Sequence, residues 1–192
     1  MNLIFFLLGT SVRNLHAFQV LQSVFPKSNT TFLSVTILDS ISSIFKADHN
    51  NYFIVDSVLP QMAEKLIHKS LEVQQKYLEI VEFVVFQLQF TPYKELIAIS
   101  RILKNDLAED IEHKRKNSVL PDNGGEEDEG VFYREIETEL RLKLICVKML
   151  LNVAKHNNLF KDAFREVGIF EVLLTCLHRF ASDVQSAEQK EG

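Results

Sequence analysis

Residues able to do covalent or metal chemistry are few and far apart in this chain of 192 residues. The two cysteines, Cys146 and Cys176, each stand in apolar company, Cys146 beside Ile145 and Val147 and Cys176 on the stripe that runs from Ile169 to Phe180. That setting suits core sulfur rather than a nucleophile. His49 and His156 each sit in a polar turn without a second metal ligand at helical spacing, so turn formation by the neighbouring asparagines is the use they point to. The carboxylates are scattered, and the sequence holds no glycine-rich phosphate loop, no G-x-S-x-G and no H-E-x-x-H. The expectation is a protein that is not an enzyme and holds no metal or cofactor. Lys114-Arg115-Lys116 lies among Glu109, Asp110 and Glu112, a poor electrostatic footprint for nucleic acid. Arg115 precedes Ser118 by three residues, which makes Ser118 a candidate phosphosite for a basophilic kinase. A phosphate there would add about −1.5 to −2 charges to an already acidic segment.

The elements around these residues are helical by composition and by period. Glycine and proline number only 6 and 4, which speaks against a turn-rich β fold. Hydrophobic residues make up 46% and charged residues 24%, a globular balance, and the net charge of −5 gives no general pull toward nucleic acid or anionic lipid. Ile37, Leu38, Ile41, Ile44 and Phe45 form one helical stripe, and Leu78, Val81, Val84, Val85 and Leu88 a second. A third, Leu140, Leu144, Val147, Leu151 and Ala154, follows the i, i+4, i+7 rule, and the helix Leu140–Ala154 is apolar on most sides, as expected of a core helix sandwiched between neighbours. Ser70 and the Thr91-Pro92 pair read as helix starts, and Gly168 as a helix break. Two cysteines are too few for a disulfide framework, and no stretch approaches the roughly 20 apolar residues of a membrane span. The apolar run at residues 3–8 resembles a signal peptide's centre but is short and lacks a preceding positive charge, so it reads as the end of a buried helix.

The chain also repeats itself. His49-Asn50-Asn51-Tyr52-Phe53 recurs as His156-Asn157-Asn158-Leu159-Phe160, an offset that sets Val35 on Leu142, Ile37 on Leu144, Leu38 on Ile145 and Ile44 on Leu151. Units of roughly 40 residues, each a pair of helices, fit armadillo or HEAT periodicity. The expected fold is therefore an all-α, armadillo/HEAT-like α-solenoid fragment of about three repeats. Helical repeats are expected over residues 1–104 and 131–181, a charged disordered loop over 105–130 and a polar tail over 182–192. A cut solenoid should also expose apolar surface at its ends.

Several segments resemble the N-terminal armadillo-like region of the Alfy/blue cheese family, the BEACH proteins with WD repeats and a FYVE domain. They are Asn51-Tyr52-Phe53-Ile54, Val73-Gln74-Gln75-Lys76-Tyr77-Leu78-Glu79-Ile80-Val81-Glu82-Phe83-Val84-Val85, Lys94-Glu95-Leu96-Ile97 and Leu159-Phe160-Lys161-Asp162-Ala163-Phe164-Arg165-Glu166-Val167-Gly168. The resemblance implies a cytoplasmic scaffold in selective autophagy of aggregates and in membrane trafficking, with protein partners and no direct membrane contact from this segment. The alternative is an armadillo/HEAT-type adaptor of an unrelated transport or signalling pathway. No zinc-finger cysteine pairs, WD blades or basic lipid motif occur in these residues, so no site of the family transfers to a position here. One further segment resembles the short motif that docks Atg8-type modifiers: Glu126, Glu127, Asp128 and Glu129, then Tyr133 and Ile136 as aromatic-x-x-aliphatic. Docking of that kind is β-augmentation and needs an extended backbone. The same pair is also an i, i+3 neighbour pair at the start of a helix.

Overall fold

In the computed structural model the described residues are 16–54, 58–105, 126–156 and 158–191. Helix α1 covers 16–24 and runs into a 3-10 turn, Phe25–Lys27. There follow α2 (Thr31–Ala47), α3 (Asn50–Ile54), α4 (Val58–Ala63), a second 3-10 turn (Leu66–His68), α5 (Leu71–Phe86) and α6 (Tyr93–Lys104). After the undescribed stretch come α7 (Glu126–His156), α8 (Leu159–Glu166) and α9 (Ile169–Glu191). No strand occurs among the described residues.

Packing sorts the long helices into two layers. In one, α2 lies against α5 and α5 against α7; in the other, α4 lies against α6 and α6 against α9. Each step along the stack is one helix pair, and α6 also touches α7, which closes the layers onto a shared core. The result is an all-α, solenoid-like stack of three pairs among the described residues, as the helical period and the repeat required. The order of long helix, short helix and helix occurs as α2–α3–α4 and again as α7–α8–α9.

The first two stripes read from the sequence point inward. Leu38, Ile41, Phe45, Val81, Val84 and Val85 are buried, with Ile37 and Leu78 beside them. Polar contacts then fix how the layers meet. Tyr77 Oη donates to the Leu59 carbonyl at 2.9 Å and ties α5 to α4. Burial and the nearby Glu95 carboxylate push the Tyr77 hydroxyl well above its ordinary pKa, so it stays a donor. Tyr52 Oη donates to Glu95 Oε1 at 3.1 Å, which ties α3 to α6 through two buried groups. Gln74, fully buried, donates from Nε2 to the carbonyls of Leu66 and Lys69, each at 3.0 Å, and so holds the second 3-10 turn on α5.

Helix ends differ in part from the expected caps. Thr30 caps α2, its Oγ1 accepting from the Leu33 amide at 3.3 Å. Ser70 stands at the cap position of α5, but its side chain makes no cap bond and instead accepts a hydrogen bond from Thr31 Oγ1 at 3.0 Å. Pro92, not Thr91, holds the cap position of α6. Helix α7 begins at Glu126, so residues 126–130 form its first turns, where carboxylates favour the positive end of the helix dipole. Helix α9 runs on to Glu191, through residues read from the sequence as a polar tail. Residues 1–15 and 106–125 lie outside the described residues, and with them the apolar start, the basic cluster and most of the charged loop.

Two backbone positions test these ends. Gly168 joins α8 to α9 at φ +73°, and Gln89 closes α5 at φ +52° with a side chain that the left-handed region penalises by about 1 kcal/mol. A Cβ at Gly168 would meet nothing closer than Glu171 Oε2 at 3.6 Å, so the cost there comes from φ alone. Gly168→Ala should lower stability by about 1 kcal/mol and Gln89→Gly should raise it by about 0.5–1 kcal/mol. In thermal melts these are opposite shifts of about 2–4 °C.

Candidate functional site

Helix α7 carries apolar residues on two opposite faces. The face turned to α5 and α6 buries Leu142, Cys146, Met149, Leu150 and Val153. The stripe that the sequence marked as core lies on the other side: Leu140, Leu144, Val147 and Leu151 are 59, 53, 36 and 53% exposed. That expectation is corrected, and the reason is position. Helix α5 is covered on both flanks, whereas α7 is the last of its layer among the described residues and is covered on one. The 107-residue offset fails at side-chain level for the same reason, since Ile37 is buried and its counterpart Leu144 is exposed. Helix α9 shares the pattern. Ile169 and Val172 are buried, Leu173 and Cys176 are half-buried, and Leu177 and Phe180, expected on the core stripe, point outward with Leu174.

Between the N-terminal half of α7, the C-terminal end of α6 and the middle of α9 lies a cleft of about 560 Å³. Leu103 and Cys176 contribute to its lining, with Leu140 and Phe180 from the two outer helices. Cys176 Sγ donates to the Leu103 carbonyl at 3.6 Å. Glu139, almost fully buried, pairs with Lys143 one turn on, with Oε1 2.7 Å from Nζ. Lys143 Nζ also donates to the carbonyl of Asn105, which ties the end of α6 to α7. Burial makes this pair costly to break from one side, because it would leave a charge in apolar surroundings. Sequence reasoning passed over it, although the Glu139 and Lys143 spacing of four is a helix ion-pair signal. Lys104, Arg179 and Glu171 complete the polar part of the wall.

The sequence-derived candidates fall around this cleft or away from it. Ile136 is half-buried and lines the cleft. Tyr133 and the acidic run Glu126, Glu127, Asp128 and Glu129 belong to the same helix, and only their backbone is described. Since 126–136 is helical, β-augmentation through Tyr133 and Ile136 would require these turns to unwind. Ser118 lies outside the described residues. His49 and His156 are brought to one helix. His49 meets the Phe83 ring edge-on at 5.9 Å and His156 meets Phe86 at 4.6 Å, so both imidazoles pack on the C-terminal end of α5. Of the asparagines beside them, Asn51 donates from Nδ2 to the Ile44 carbonyl at 3.2 Å, whereas Asn158 makes no side-chain cap bond.

A second, polar recess of about 210 Å³ sits where α2 and α5 begin. Lys69 Nζ spans it, donating to the carbonyls of Phe25 and Ser28 and lying 5.0 Å from the Phe25 ring centre. Burial lowers the Lys69 pKa from its ordinary value. The ammonium therefore serves as a tie between the first 3-10 turn and α5.

A stack of helix pairs with an open apolar end and no strand among its described residues belongs to the helical-repeat class. The chain is 25% identical over 186 residues to WD repeat- and FYVE domain-containing protein 4 of Mus musculus, a match over 95% of this chain and 5% of that protein. It is 26% identical over 185 residues to the Homo sapiens protein of the same name, with the same coverage. The relation to the Alfy-like WD-repeat and FYVE-domain proteins that the residues suggested thus holds over nearly the whole chain, which spans about 5% of the length of these curated relatives. No family model and no solved structure matches the chain. The names of the relatives describe domains rather than a reaction. No helix among the described residues is long and apolar enough to cross a membrane.

The two thiols give a direct check on this packing. Burial pushes Cys146 up to about 12, whereas Cys176 is half-buried at the cleft. At pH 8 a thiol reagent should titrate Cys176 in the folded protein and reach Cys146 only in denaturant. A folded pKa above the unfolded value near 9.0 means that the unfolded chain loses its proton first. The Cys146 contribution to stability should therefore fall as pH rises from about 9 toward 12, a loss that Cys146→Ala should remove from a pH series of melts.

Proposed function

We propose that this chain is a non-catalytic scaffold segment of a large, cytoplasmic Alfy-like BEACH protein that acts in selective autophagy of aggregates and in membrane trafficking. The observation that carries this reading is the match over 95% of the chain to two relatives named for WD repeats and a FYVE domain. Its physical counterpart is the stack itself. Successive helix pairs bury their faces against one another and leave extended ridges, a geometry that serves protein recognition better than small-molecule chemistry. The buried ionisable groups support a structural use: Glu95 is bonded to Tyr52, and Glu139 is paired with Lys143. Membrane contact, in this reading, is made by other parts of the protein.

Deletion of these residues from the full-length protein tests the proposal. Recruitment of protein partners and clearance of ubiquitin-positive aggregates should fall severalfold, while the steady-state level of the protein holds. Unchanged clearance and an unchanged set of bound partners would overturn the scaffold reading.

A further inference from the structure

We draw no further inference here: the strongest candidate, the apolar face of α7 and α9 around Leu140, Leu144 and Leu177, carries nothing, because Arg141 beside it is already paired with Glu137 and nothing in the structure shows what covers it.

Discussion

Helix α5 is the member on which the other helices depend. Val73, Tyr77, Ile80, Val81, Val84 and Val85 are buried along its length, with α2 on one flank and α7 on the other. A helix covered this way gains its stability from tertiary burial rather than from its own propensity, and its β-branched residues would favour helix only weakly in isolation. Tyr77 adds direction to that burial. Its hydroxyl reaches across to the Leu59 carbonyl, so α5 can meet α4 in one register without stranding a polar group. The same logic recurs at Tyr52 and Glu95, and where Lys143 donates to the Asn105 carbonyl at the end of α6. Each layer is glued by apolar surface, and a few buried polar pairs decide how one layer sits on the next.

Much of this was legible in the residues, and the failures share one cause. The stripes of α2 and α5 point where their periods say, because those helices have one strongly apolar side and polar residues opposite. In α7 the period is ambiguous. Leu142, Cys146, Met149 and Val153 compete with Leu140, Leu144, Val147 and Leu151, and both sets follow a helical rule. Which set is buried is settled by where the neighbours lie, which a local pattern cannot encode. Caps failed for a similar reason. Ser70 is the residue type that caps helices, yet the approach of Thr31 from α2 draws its hydroxyl into another bond, a contact between residues far apart in the chain. The cleft was invisible from the sequence because its walls come from α6, α7 and α9.

The internal repeat holds at the level of elements and breaks at the level of side chains. The His-Asn-Asn turns recur with a purpose, since each delivers an imidazole to a phenyl ring of α5, at Phe83 and Phe86. Edge-on ring contacts of this kind contribute roughly 0.5–1.5 kcal/mol beyond area burial. What differs is the company kept by each copy. Ile44 is half-buried on α2 where Leu151 stands exposed on α7. Equivalent sequence positions in a stack are equivalent environments only where the stack continues on both sides.

Because both imidazoles reach the same end of α5, the C-terminal ends of α2, α5 and α7 are drawn together at one edge. The opposite end of α7 has the cleft beside it. Helix α7 is thus moored at both margins by different means: rings stacked edge to face at one, and at the other the Lys143 ammonium reaching the Asn105 carbonyl of the neighbouring layer.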